Sequence, residues 1–170
     1  MILQIQDWTF DIDITRTMEY SAAEAAEHCT CAYCRNFYAV VDTDYPQLRP
    51  FLAQFGIDVE APDELLPYDI GADMHYEGAY MVCGAILQTG HKPLLDCGCL
   101  TVEAREDDRV APINHNCPQP CFVLDVATVI LPWVLDEPME ETLSLANEPS
   151  FLKKMWDRLL SRAKKNNIQS

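Results

Sequence analysis

Near the start of the chain, apolar and polar positions alternate: Trp8, Phe10, Ile12 and Ile14 interleave with Thr9, Asp11 and Asp13. A period of two sends successive side chains to opposite faces, so this stretch predicts a half-buried strand or hairpin. The period then lengthens. Ser21, followed three residues later by Glu24, has the form of a capping box ahead of the helix formers Ala22 to Glu27, which predicts a helix beginning at Ser21. A second helical pattern covers Tyr33 to Val41. A third covers Pro46 to Phe55, where Leu48, Phe51, Leu52 and Phe55 share one face and Gly56 can close the helix.

From Asp69 onward, short apolar segments are separated by Gly, Pro and acidic turns, the pattern of strands and hairpins. Met74 to Tyr76, Ala79 to Gln88, Cys99 to Arg105 and Phe122 to Leu131 are the expected strands. Glu106 to Asp108 reads as an exposed turn and Ala111 to Pro120 as an irregular loop. Near the end, Phe151, Leu152, Met155, Trp156, Leu159, Leu160 and Ala163 form an apolar stripe opposite Lys153, Lys154, Arg158, Arg162 and Lys165. That arrangement predicts an amphipathic helix over roughly 148–165. A helix-rich part (21–56) followed by a strand-rich part (69–135) favours an α+β fold over strict βαβ alternation. The expected architecture is one domain over 1–170, with an antiparallel sheet of about four to six strands. Its helices, including the C-terminal one, pack mainly on one face.

Length changes the picture little. A chain of 170 residues with 49% hydrophobic and 23% charged residues can bury one continuous core without metal or disulfide support. Charge matters more. The net charge is −15, and the final twenty residues hold a cationic cluster (Lys153, Lys154, Arg158, Arg162, Lys164 and Lys165) against Asp157 alone. The body before it is therefore more acidic than the whole chain. Such a surface repels phosphate, which argues against nucleic-acid binding and confines any such contact to the tail. The basic amphipathic segment is expected to dock on the acidic body or on a second copy, so self-association or a protein partner fits it.

The opening stretch has no cationic region followed by an apolar one, the pattern of a secretion signal. The longest apolar run, Val126 to Leu135, is interrupted by Pro132 and is too short for a membrane span. A cytoplasmic protein is expected, with its eight cysteines present as reduced thiols or metal ligands rather than disulfides.

The densest chemical cluster is His28, Cys29, Cys31 and Cys34, with C-x-C and C-x2-C spacing. Thiolates so spaced can bind zinc from one loop, and Cys97 and Cys99, which flank Gly98, are candidates to complete the set. Cys117 and Cys121, with His115 just before them, offer further combinations. The competing reading places Cys31, Cys34, Tyr38 and Val41 on one buried helical face, where cysteine acts as a small apolar residue. That reading is the one the single C-x2-C favours, and it predicts mostly free thiols with less than stoichiometric zinc. Redox chemistry at Cys31 and Cys34 would need the first thiol at an exposed helix N-terminus.

Cys31, Ala32, Tyr33, Cys34, Arg35, Asn36 and Phe37 begin a stretch that continues through Phe51, Leu52, Phe55, Gly56, Ile57, Asp58 and Pro62 to Tyr76, Glu77, Gly78 and Tyr80. Over roughly residues 29–90 this resembles a group of uncharacterised bacterial proteins sharing C-x2-C-R-N-F and F-G-I-D motifs. The resemblance implies a bacterial source and no activity, so no catalytic residue follows from it.

His75 and Glu77 project from one face of an expected strand and read as a surface pair. Gly84, Gly90 and Gly98 match no nucleotide-binding pattern, and neither a nucleophile elbow nor an H-E-x-x-H pair occurs. Function is therefore expected to be non-enzymatic binding or interaction. The alternatives are a zinc-binding protein using Cys29, Cys31 and Cys34, or an enzyme whose polar residues meet only in the fold.

Overall fold

Ile2–Ile5 (β1) and Trp8–Ile12 (β2) pair as an antiparallel hairpin, with Gln6 taking a φ of 53° in the turn. The computed structural model describes residues 1–26, 28–70, 73–106 and 115–138, and Met1–Glu137 forms one unit. The expected alternation holds: Trp8, Phe10 and Ile12 are buried and Asp11 is exposed. Ile14 belongs instead to a helix, α1 (Ile14–Ala26). The cap is Asp13, whose carboxylate accepts the backbone N–H of Arg16 at 3.1 Å, satisfying a donor that the first helical turn leaves open. Ser21 does not start the helix. It is buried within it, and its hydroxyl accepts the backbone N–H of Asp58 at 3.0 Å.

The next two helices fall close to their expected places, as α2 (Ala32–Asp44) and α3 (Leu48–Ala53). Leu48, Phe51, Leu52 and Phe55 are all buried, as the shared face requires. Gly56, at φ 83°, ends this segment while Ile57 N–H returns to Leu52 C=O at 3.2 Å.

Among the described residues, seven strands make an antiparallel sheet. Besides the hairpin they are β3 (Glu64–Ile70), β4 (Asp73–Gln88), β5 (Leu95–Cys97), β6 (Leu100–Glu106) and β7 (Cys121–Leu131). The order is β1-β2-β4-β7-β6-β5, with β3 also paired to β4. The two segments expected from Met74 to Tyr76 and from Ala79 to Gln88 are one strand of 16 residues. The Gly that would ordinarily interrupt it, Gly78, lies at a register shift in the β4–β7 ladder instead. The strand-rich region begins earlier than expected, since β3 starts at Glu64.

Strand β4 is longer than any one neighbour. One edge runs along β7, while the other meets β3 over Asp73 to Ala79 and β2 over Gly84 to Gln88. Between those partners, side chains and loop backbone take over the ladder. Asp63 N–H donates to Ala79 C=O at 2.9 Å, and Met81 N–H donates to Asp63 Oδ2 at 2.8 Å. Cys83 N–H donates to Thr17 Oγ1 at 3.1 Å, and Asp13 N–H to Cys83 C=O at 2.9 Å. Helix α1 thus sits where the strand would otherwise leave buried backbone groups unpaired, a costly situation.

Aromatic rings fill the core that α2 and α3 cover. Phe10 of β2 stacks on Phe122 of β7 with centroids 5.2 Å apart, and Phe55 meets both rings edge-on. Phe37 of α2 packs against Tyr76 of β4 at 5.3 Å. Each such fully buried side chain contributes roughly 1.5–3 kcal/mol. Asn36, also wholly buried, uses every polar atom: Oδ1 accepts Val134 N–H at 2.8 Å, while Nδ2 donates to Pro132 C=O at 3.1 Å and to Tyr76 Oη at 3.2 Å. The motif residues Asn36 and Phe37 therefore fix α2 to β4 and to the segment after β7. Among the described residues no helix is long and apolar enough to cross a membrane. The amphipathic helix expected over 148–165 lies outside the described residues.

Candidate metal centre

The segment from His28 to Cys31 leads into α2, and Cys31 is the residue immediately before its first turn, with extended backbone at φ −63° and ψ 162°. This geometry turns the chain so that Cys34, one turn into the helix, comes back beside the loop. The sulfurs of Cys29, Cys31 and Cys34 all lie within 4.8 Å of one another. Burial divides the set: Cys29 and Cys31 are exposed, whereas Cys34 is buried.

Two polar contacts hold the loop in place. Arg35 Nε donates to Thr30 C=O at 3.0 Å, and Arg35 N–H donates to Cys31 C=O at 3.0 Å. The Arg35 guanidinium also pairs with Glu137, and Glu137 C=O accepts Trp133 Nε1 at 2.9 Å. Tyr33 meets Trp133 edge-on at 5.7 Å, so the start of α2 is fastened to the residues after β7. His28 rests its ring against Tyr38 at 5.2 Å.

The electrostatics of the three thiols differ for physical reasons. The backbone N–H of Cys31 holds the Cys29 thiol below its ordinary value, and the side chains of Cys31 and Cys34 add to that effect. Burial pushes the Cys34 thiol up, with the neighbouring Cys29 and Cys31 acting in the same direction. Burial likewise raises Tyr38, which lies beside Cys34. The Cys29 thiol therefore gives up its proton more readily than the Cys34 thiol does.

The sequence-predicted residues separate in the fold. Cys29, Cys31 and Cys34 meet. Cys97 ends β5 and Cys99 is exposed beyond Gly98, whose φ of 76° makes the turn into β6, and neither belongs to that group of three. The expectation that Cys31 and Cys34 share a buried face is right for Cys34 alone. Cys31 precedes the helix and faces solvent because the helical period does not yet apply to it.

A second group was not legible from spacing. Cys83 of β4 and Cys117 are buried with sulfurs 3.5 Å apart, and Cys121 is paired with Cys83 across the β4–β7 ladder. Tyr20, Ala79, Met81 and Val123 complete this cluster. Cys83 sits within an apolar strand, so nothing local marks it, and only strand pairing brings it to the cysteines near β7. A shallow groove lined by Met1, Asp11, Asp13, Arg16, Gly84 and Leu87 carries none of these cysteines. No protein-family model, curated protein or solved structure matches the chain.

Proposed function

We propose that this is a non-enzymatic binding protein of the cytoplasm whose ligand is a thiophilic divalent metal, zinc foremost, held by Cys29, Cys31 and Cys34. The observation that carries this reading is the approach of three sulfurs to within 4.8 Å of one another. Sulfurs bound tetrahedrally at about 2.3 Å from zinc stand roughly 3.8 Å apart, so small side-chain rotations suffice to close the site. Packing accounts for Cys34 but not for Cys29 and Cys31, which are exposed. Thiolate donors suit zinc and other soft ions rather than magnesium or calcium. Three protein ligands leave one tetrahedral position for water or a small exogenous donor.

The test is metal content and affinity. The full chain is purified without chelator from zinc-supplied cells, assayed for zinc, stripped and retitrated beside a Cys29→Ser, Cys31→Ser, Cys34→Ser variant. One zinc per chain in the parent and none in the variant is the expected result. Substoichiometric zinc, or equal binding by both proteins, overturns the reading. Circular dichroism of the variant separates loss of the site from loss of the fold.

A further inference from the structure

The buried cysteines near β7 carry an inference that uses none of the metal-site residues. Cys83 is wholly buried and Cys117 nearly so, and their sulfurs are 3.5 Å apart. Both backbones are pinned. Cys83 N–H is held by Thr17 Oγ1 at 3.1 Å and its C=O by Asp13 N–H at 2.9 Å, while Cys117 N–H donates to His115 Nδ1 at 3.0 Å. The backbones that carry the two sulfurs are therefore held on both sides.

Cys121 is the rival partner, since it stands opposite Cys83 in the ladder. Its sulfur receives Gln119 Nε2 at 2.9 Å. The sulfur that Cys83 faces at 3.5 Å is that of Cys117. A disulfide needs a sulfur separation of about 2.05 Å, so the two must close by roughly 1.5 Å.

We propose that Cys83 and Cys117 form an oxidisable pair, which hydrogen peroxide converts to a disulfide joining β4 to the segment ahead of β7. Cys117, the less buried of the two, reacts first. Its deprotonated sulfur attacks one peroxide oxygen, the O–O bond breaks, and the departing hydroxide takes up the thiol proton as water, leaving a sulfenic acid. The Cys83 sulfur then attacks Cys117 Sγ, the S–O bond breaks, and the leaving hydroxide combines with the Cys83 proton as a second water. Two thiols and one peroxide give one disulfide and two waters; the sulfurs lose two electrons and the peroxide oxygens gain them. Burial holds the Cys117 thiol above its ordinary value, so its thiolate is scarce at neutral pH and its oxidation is slow there and faster at higher pH.

The experiment treats the full chain, and separately the triple serine variant of the metal site, with graded hydrogen peroxide. Each sample is quenched in acid, alkylated under denaturing conditions and digested without reduction for peptide mapping. Exposed Cys99 serves as the internal measure of oxidant exposure. A peptide linking Cys83 to Cys117 that accumulates in both proteins and disappears on reduction is the expected result. Recovery of both residues as alkylated thiols once Cys99 is fully oxidised overturns the proposal, as does joining of either one to a different cysteine. Because the triple variant lacks the metal ligands, this outcome is independent of whether the protein binds zinc.

Discussion

Asp63 accepts the backbone N–H of Met81 on its Oδ2 atom at 2.8 Å. A carboxylate here takes the place of a neighbouring strand, because β3 has ended and β2 has not yet begun along that edge of β4. Its other oxygen accepts the hydroxyl of Tyr20, so the same side chain fastens α1 to the sheet. Burial raises the Tyr20 phenol far above its ordinary value, with Asp63 adding to the effect, which keeps the hydroxyl a donor.

Asp63→Ala is expected to remove both acceptors at once. The Met81 amide and the Tyr20 hydroxyl would be left without partners in a part-buried setting, for a loss of about 2–4 kcal/mol in urea unfolding. An unchanged midpoint would mean that water replaces the carboxylate at no cost.

The same residue predicts a pH dependence. Burial raises the Asp63 carboxyl above 3.8, against the opposing pull of its bonds from Tyr20 and Met81. The folded protein therefore holds this proton more tightly than the unfolded chain does. The contribution of Asp63 is fully present below the ordinary carboxylate value and is lost as pH rises through the raised one. The stability of the parent relative to Asp63→Asn should increase as pH falls from about 7 toward about 4. A difference that stays flat or shrinks over that range contradicts the assignment.

The gap in the ladder also explains what the sequence discloses and what it conceals. Trp8, Phe10 and Ile12 are legible because an alternating period has one structural meaning, and the α3 face is legible because four large residues recur at helical spacing. The start of α1 is not. Ser21 and Glu24 imitate a capping box, whereas the true cap, Asp13, lies inside what reads as a strand pattern. The candidate site is legible in part for a similar reason. Cys29, Cys31 and Cys34 are neighbours in sequence, so their meeting is a local matter of one loop and one turn. Cys83 and Cys117 meet only through the pairing of β4 with β7, which no spacing encodes.

Gly84 is the point where β2 crosses onto β4. Its φ of 151° lies in a region that side chains rarely adopt, and an added Cβ would stand 2.9 Å from Ile12 Cα and closer still to Asp11 C=O. Both neighbours are backbone and cannot rotate away. Gly84→Ala is expected to lower stability by roughly 2–4 kcal/mol, through strain and forced displacement of β2. Chemical denaturation measures the loss, and a variant as stable as the parent would mean that β2 yields without cost.

Asn36 offers a different kind of test, because its bonds reach Tyr76, Pro132 and Val134 from one buried amide. Asn36→Ala strands the Val134 amide and leaves a gap, with an expected cost of about 2–4 kcal/mol. Asn36→Asp retains the acceptor for Val134 but replaces the amide donor, so Pro132 C=O and a buried carboxylate oppose each other. The aspartate variant should be strongly destabilised at neutral pH and partly restored in acid, where a protonated carboxyl can donate again. Equal stability of the two variants at all pH values would deny the amide its bridging role.

Zinc binding at Cys29, Cys31 and Cys34 should release protons, and the three thiols should not contribute alike. Metal binds thiolate, so each sulfur must lose its proton before or during coordination. Cys29 is held low by the Cys31 backbone N–H and resists less than Cys34. Cys34 is held high by burial and by its cysteine neighbours, so its proton remains until the metal displaces it. Zinc affinity should therefore rise with pH across the neutral range, and titration in weakly buffered solution should report proton release on binding. Cys34→Ser should reduce both the affinity and the number of protons released, while the exposed Cys29→Ser reduces affinity with a smaller change in proton count, because its thiol is held lower than that of Cys34. Calorimetry in two buffers of different ionisation enthalpy measures that count directly. If binding releases no protons, or if Cys34→Ser leaves the count unchanged, the buried sulfur is not a ligand and the metal, where it binds at all, is held elsewhere.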